Sequence, residues 1–386
     1  MTQITEAIDI APRPLPPPSG IAQEMENRYY TASQFQLMWW KFKKHRLALI
    51  GSVLLGFFVF IAVFAEFLSP YTPTARTPDY LFGRPQVLHF VDAEGKFHLR
   101  PFTYALTAAM DPKTFLLSVK EDSSQPWPVY FWIKGDPYKM WGVINSDRHL
   151  FGVKEGHLHL LGTDQLGRDL LSRLFHATRT SLTIGVVGLF ISFFLGLIIG
   201  GISGFFGGGI DDAIQRFIEF IRSIPTLPLW MAMAAALPKE WSPQRVYFTI
   251  TILLGLLGWT HLARRVRGKL LSLREEDFVV AARIAGSSDA RIIARHLLPS
   301  FLSYIIVDLS ISFPYMILAE TSLSFIGLGL RAPVISWGVL LQNAQNIQAI
   351  ALYPWLFTPV AFVIVSVMAF SFVGDGMRDA ADPYSR

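Results

Sequence analysis

Six apolar stretches separated by polar segments limit what this chain can fold into. They run at about 47–68, 181–204, 224–238, 246–263, 301–323 and 355–373. A helix needs roughly 20 apolar residues to cross about 30 Å of hydrocarbon, and most of these stretches approach that length. The third is the weakest, because Pro225 and Pro228 interrupt it and a helical lead-in from 210 precedes it. With 52% hydrophobic and only 16% charged residues, composition agrees with an all-α polytopic membrane protein of six transmembrane helices. Glycines at 200, 201, 204 and 207–209 flank the end of the second stretch and read as close helix packing followed by a flexible exit.

Charge sets the orientation. Lys41, Lys43, Lys44 and Arg46 stand beside the first stretch and place the N-terminus inside. Six spans then put both termini and the 264–300 loop in the cytoplasm. That loop carries Arg264, Arg265, Arg267, Lys269, Arg274, Arg283, Arg291 and Arg295, whereas the external 324–354 loop has only Arg331. Residues 1–40, with Pro12, Pro14, Pro16, Pro17 and Pro18 near their start, read as a disordered cytoplasmic tail rather than a targeting signal.

Residues 69–160 form the one non-membrane block of domain size. Aromatic runs such as 129–133 and turn signals at Asp92–Gly95 and Lys134–Pro137 predict short strands, hence a small β-rich external insertion between the first two spans. It would either dock a partner and guide substrate or only stabilise the protein. After it, Leu166, Leu170 and Leu174 recur at four-residue spacing with Asp164, Arg168, Asp169 and Arg173 as a polar edge. That pattern predicts an interfacial helix on the outer membrane surface.

No catalytic constellation stands out. The chain lacks a phosphate-cradling G-x-x-x-x-G-K-[ST] loop and an H-E-x-x-H pair, and His157 and His159 have no matching carboxylates for a metal. There is no cysteine, which excludes disulfides and thiolate metal sites. Ionisable residues inside spans point to function, because an unpaired charge in hydrocarbon costs several kcal/mol. Asp308 and Glu320 in the fifth span, with Pro314 as a kink between them, are therefore expected on a water-filled translocation pathway, or else paired with a neighbouring helix.

The most informative segment is 275–299. Residues 276–285 read as a short helix that Gly286 breaks; Ser288 or Asp289 can cap a second, which Pro299 closes. Ala281-Ala282, Gly286 and Leu298-Pro299 resemble the coupling loop of ABC importer permeases, and the ending His296–Pro299 resembles the dipeptide/oligopeptide branch, permease C type. Val280 stands where that loop has its acidic residue. Gly162–Asp164, Gly167–Asp169 and Ser172-Arg173 resemble the family signature before the second span. Phe325–Leu330 with Trp337-Gly338, and Gly374–Pro383, resemble its later segments. The likeness covers about 161–386, the permease core, and the first span, and makes the chain a long external-loop variant.

The resemblance implies a type I importer permease with no enzymatic activity and no cofactor of its own, ATP and magnesium being bound by partner subunits. Those partners would be a second homologous permease, two cytoplasmic P-loop ATPases and an external substrate-binding protein, with no nucleic acid, in a bacterial inner membrane. Phe278, Val279, Ala281, Ala282, Arg283, Gly286, His296 and Pro299 would form the coupling loop, with Phe278, Val279 and Ala282 as the buried contact. Asp164, Arg168, Asp169 and Arg173 would belong to the external gate. Peptide is the expected cargo and oligosaccharide the alternative. A membrane sensor or assembly protein and an ion-coupled carrier are the rival classes, although no inverted repeat supports the latter.

Overall fold

A computed structural model of the protein describes residues 31–110, 117–238, 240–345 and 351–381. The proline-rich start of the tail, residues 1–30, and the Asp382-Pro383 ending lie outside the described residues. Helix α1 (Gln34–Lys44) opens with a Ser33/Gln36 capping box, and His45 ends it while accepting the Ala48 N–H to start α2 (Arg46–Val63). The first span bends at Phe64 and finishes in the short α3 (Ala65–Leu68).

The second span is much longer than its apolar stretch. Helix α4 (Leu170–Phe206) has 37 residues, about 56 Å at 1.5 Å per residue, with Asp169 as its N-cap. No separate interfacial helix precedes it. Gly207, at φ 66°, ends it and begins α5 (Gly208–Ser223). The third span departs most from expectation. Ile224, held extended before Pro225 (ψ 128°), separates α5 from α6 (Thr226–Ala235). Ten residues cover about 15 Å, half the hydrocarbon thickness. Five helices among the described residues are therefore long and apolar enough to cross a membrane, with this shorter apolar helix at the third position.

Helix α7 (Pro243–Leu273) extends past its apolar part, so Arg264, Arg265, Arg267 and Lys269 ride on a helix rather than a loop. It packs chiefly on α4. Gly200 and Gly204 make this approach possible: a Cβ on Gly200 would stand 2.5 Å from the Ala263 carbonyl oxygen, and one on Gly204 2.8 Å from that of Arg267. Gly201 and Gly209 face open space instead. Later come α8 (Asp277–Ile284), α9 (Asp289–Arg291), a π-helical turn over Ile292–Leu297, α10 (Leu298–Ser300), α11 (Leu302–Phe325), α12 (Trp337–Asn343) and α13 (Thr358–Ala381). Helix α13 packs on α2 and α11, and Phe58, Leu174, Phe313 and Trp337 form the buried centre.

The insertion is a four-stranded antiparallel meander: β1 (His89–Val91), β2 (Phe97–Met110), β3 (Leu117–Met140) and β4 (Ile144–Val153). The first half of β3 pairs with β2 and the second with β4, so its two hairpins point to opposite ends of one long strand. Asp92 builds the β1–β2 turn by accepting the Glu94 and Lys96 N–H groups, with Gly95 at φ 83°. The turn expected at Lys134–Pro137 is instead an irregularity within β3, where register shifts against β4.

Candidate functional site

The 277–300 hairpin is keyed into the rest of the chain by one face and open on the other. Helix α8 ends in a Schellman motif: Gly286 N–H donates to the Arg283 carbonyl and Ser287 N–H to that of Ala282, both at 3.0 Å. Gly286 sits at φ 80°, where a side chain would be strained. Ser288 takes the extended cap position without a side-chain bond to the next helix. Pro299 does not close that helix. A proline ring clashes with the carbonyl four residues earlier; here the preceding turn widens to π geometry, Leu298 N–H reaching the Ile293 carbonyl, and the chain passes through Pro299 to Phe301.

Val279 is fully buried, together with Ile292 and Leu297, against Phe205 of α4, Val266 and Leu270 of α7, and Phe301 and Ile305. Ala282 packs beside them. Three spanning helices thus meet the hairpin at one cluster. This corrects the expected contact face: Val279 and Ala282 turn inward. Helical periodicity places Val280, Ala281 and Ile284 opposite them, with Phe278 at the edge. Phe278 and Val280 are each 42% exposed and Ile284 is 82% exposed, a row of bare apolar side chains. Arg283 lies over the Phe205 ring at 5.8 Å, while Arg291 and Arg295 are exposed. His296 is half-buried and Pro299 exposed.

The segment before α4 is built the other way. Gly162 (φ 75°) and Gly167 (φ 69°) fold it into a loop, bridged by Thr163 and Asp169, so the leucine spacing that predicts an interfacial helix is fortuitous. Asp164, Asp169 and Arg173 are all buried rather than forming a polar edge. Asp164 accepts from the backbone N–H groups of Leu166 (2.8 Å) and Arg168 (3.1 Å), from Arg168 Nε (2.8 Å) and from Arg173 Nη1. Asp169 caps α4 by accepting the Ser172 N–H at 2.7 Å and stands 3.0 Å from His159 Nδ1. His159 N–H donates to Gln86 Oε1, and Gln86 Nε2 donates to the Tyr104 carbonyl, tying the helix start to the sheet. Tyr71, whose hydroxyl accepts the Leu158 N–H, has its pKa pushed up by burial.

Both carboxylates of the fifth span are buried among neighbouring helices of this chain. Asp308 is buried and paired with Arg265 of α7. Glu320 is fully buried, accepting from Ser181 Oγ (3.3 Å) and Ser324 Oγ (2.8 Å). Ser181 and Ser324 in turn accept the N–H groups of Trp337 and Leu330, so Glu320 gathers α4, α11 and the start of α12. Two ion pairs escape sequence reasoning. Arg179 grips Glu66 in a fork at 2.5 Å, and Arg267 grips Asp211 likewise, holding that carboxyl below the usual range. The only available signal was one charge at each end of neighbouring apolar stretches. Among the described residues no three His, Asp or Glu side chains converge on a metal-sized site.

The family described as "binding-protein-dependent transport system inner membrane component" matches residues 192–386, and the "N-terminal TM domain of oligopeptide transport permease C" matches 33–85. The oligopeptide transport system permease protein OppC of Bacillus subtilis is 36% identical over 64% of this chain and 78% of its own. That of Haemophilus influenzae is 40% identical over 60% and 72%. The dipeptide transport system permease protein DppC of Lactococcus lactis is 32% identical over 91% of both chains, a breadth that takes in most of the 69–160 insertion.

Proposed function

Since the chain belongs to the inner-membrane permease family of binding-protein-dependent transport systems, we propose that it forms half of a peptide pathway driven through the 277–300 hairpin. The peptide cargo follows its oligopeptide and dipeptide permease relatives. In the proposed assembly a second, homologous permease supplies the other half, two P-loop ATPases sit on the cytoplasmic side, and an external binding protein delivers substrate. Both termini and the hairpin face the cytoplasm, following Lys41, Lys43, Lys44 and Arg46 and the arginines of 264–295. In this reading ATP and magnesium belong to the partner ATPases.

One observation carries the reading: a bare apolar row, Phe278, Val280, Ala281 and Ile284, stands on a hairpin whose inner face is keyed to α4, α7 and α11. A partner gripping that row moves all three helices at once. Val280 adds apolar area where the coupling loop this segment resembles has an acid, so the grip rests on burial rather than an ion pair at that position. ATP does work only if the ATP-bound partner prefers one arrangement of the spans. Arg283, Arg291, His296 and Pro299 belong to the same hairpin, and Gly286 fixes the turn between its helices.

The outer loop has the opposite task. Asp164, Arg168, Asp169 and Arg173 hold the start of α4 rigid, so the external gate closes against a fixed edge. Asp308 and Glu320 link helices inside the chain rather than coordinate cargo. The test is uptake of labelled peptide and ATP hydrolysis in proteoliposomes holding all subunits. Gly286→Pro, which forbids φ 80° and removes the N–H bonded to Arg283, should abolish uptake while hydrolysis and membrane insertion persist. Normal uptake in that variant overturns the proposal.

A further inference from the structure

We propose that the β3–β4 hairpin tip inserts into the outer leaflet of the membrane the chain spans, acting as a lipid anchor for the external sheet. The inference uses the orientation of the first span given above but not the cargo or the ATPase contact. The tip, Met140–Ile144, is apolar throughout, with Trp141 58%, Val143 80% and Ile144 56% exposed. Polar residues resume directly behind it: Lys139 and Asn145 are register partners and both exposed.

Its position is set by three contacts to the outer end of the first span. Trp141 Nε1 donates to the carbonyl of Val63, the last residue of α2, at 2.9 Å. Trp132 meets Phe67 edge-on with ring centroids 5.0 Å apart. His149, buried, stands with its ring nitrogens 2.5 Å from the Ser69 carbonyl oxygen and 2.9 Å from that of Asp136. The apolar tip therefore lies level with the end of a membrane-spanning helix, the depth at which tryptophan side chains collect. The outer part of the span likewise bares apolar side chains, Val59, Phe60 and Phe64, and burying the tip in the headgroup region removes it from water. Turn chemistry does not account for the residue chosen. Trp141 has φ 52° and Gly142 φ 75°, the left-handed pair that a tight hairpin normally fills with Asn and Gly. A bulky aromatic at such a position is strained.

Because the chain has no cysteine, a single nitroxide can be placed at will. The complete transporter, carrying Val143→Cys or Glu155→Cys on this chain, would be reconstituted in phosphatidylethanolamine/phosphatidylglycerol liposomes. Power-saturation EPR with oxygen and with the nickel complex NiEDDA then reads depth. The expected result is an oxygen-to-nickel collision ratio several-fold higher at 143 than at 155, where Glu155 is exposed beyond the other end of β4. Equal ratios would leave the tip in water, and loss of both collisions at 143 would place it against a protein subunit. Either result overturns the proposal. Both substitutions fall on exposed side chains, so the fold is retained in each.

Discussion

The 277–300 hairpin and the 161–173 loop both carry short motifs, yet they bury opposite things. The loop buries its charges: Asp164, Asp169 and Arg173 are enclosed and every carboxylate there has partners. The hairpin leaves apolar side chains bare, and only Val279, Ile292 and Leu297 go into the core. Charges sealed in low dielectric are expensive to separate, so such a segment keeps one geometry. Exposed apolar side chains on a seated hairpin wait for a partner that can move them. The two segments meet the two ends of the same long helix α4, whose N-cap is Asp169 and whose last turn contains Phe205, so the proposed mechanism makes one a fixed outer edge and the other a driven inner lever.

The largest expected effect breaks the outer lock. Arg173→Ala leaves Asp164 with a buried negative charge short of one partner and should cost about 3–5 kcal/mol, read as a lower unfolding midpoint in detergent. The same change at exposed Arg291 should leave the midpoint unaltered. Next comes the lever's seat: Val279→Ala should cost about 2 kcal/mol by emptying part of a packed cluster. Ile284→Asp, on the open face, should leave stability intact but strip the ATPases from the purified complex. If both hairpin variants behaved alike, the inner and outer faces would not differ in role.

Gly286→Ala should cost about 1 kcal/mol, because a Cβ there meets nothing within 4 Å and only the left-handed backbone is penalised. Transport should be reduced far less than in Gly286→Pro. The smallest effect is a pH dependence on the outer side. Burial, and to a lesser degree His159, holds the His157 pKa below its usual value, partly offset by Asp79. Above the unfolded histidine pKa of about 6.5 both states are neutral and nothing is gained or lost. As pH falls below it, the unfolded chain takes a proton that the folded one resists, so stability declines toward the lowered folded pKa. His157→Gln should flatten the unfolding midpoint between neutral and mildly acidic pH, with no change in the response of the hairpin.

Much of this was legible in residue order, for physical reasons. Five long helices follow directly from apolar length, and Pro225 already marked the third as the weak one. The β-rich insertion showed in its aromatic alternation. What did not show was facing. Phe278, Val279 and Val280 are consecutive and apolar, so composition cannot tell which is seated and which is bare; only packing on Val266 and Leu270 decides. The Leu166, Leu170 and Leu174 spacing imitates a helix, while Gly162 and Gly167 bend the chain until Leu170. The pairing of Asp308 and Glu320 with neighbouring helices could not be singled out from residue order, because their partners, Arg265 and Ser181, are more than 40 residues away in sequence.

The most direct test of the lever is a crosslink from its bare face. Ile284→Cys in the otherwise cysteine-free chain would be coupled to a photoactivatable maleimide in the assembled transporter, with and without ATP. The account predicts an adduct to a P-loop ATPase whose yield changes with nucleotide. Free labelling of residue 284 with no adduct in either state would contradict it.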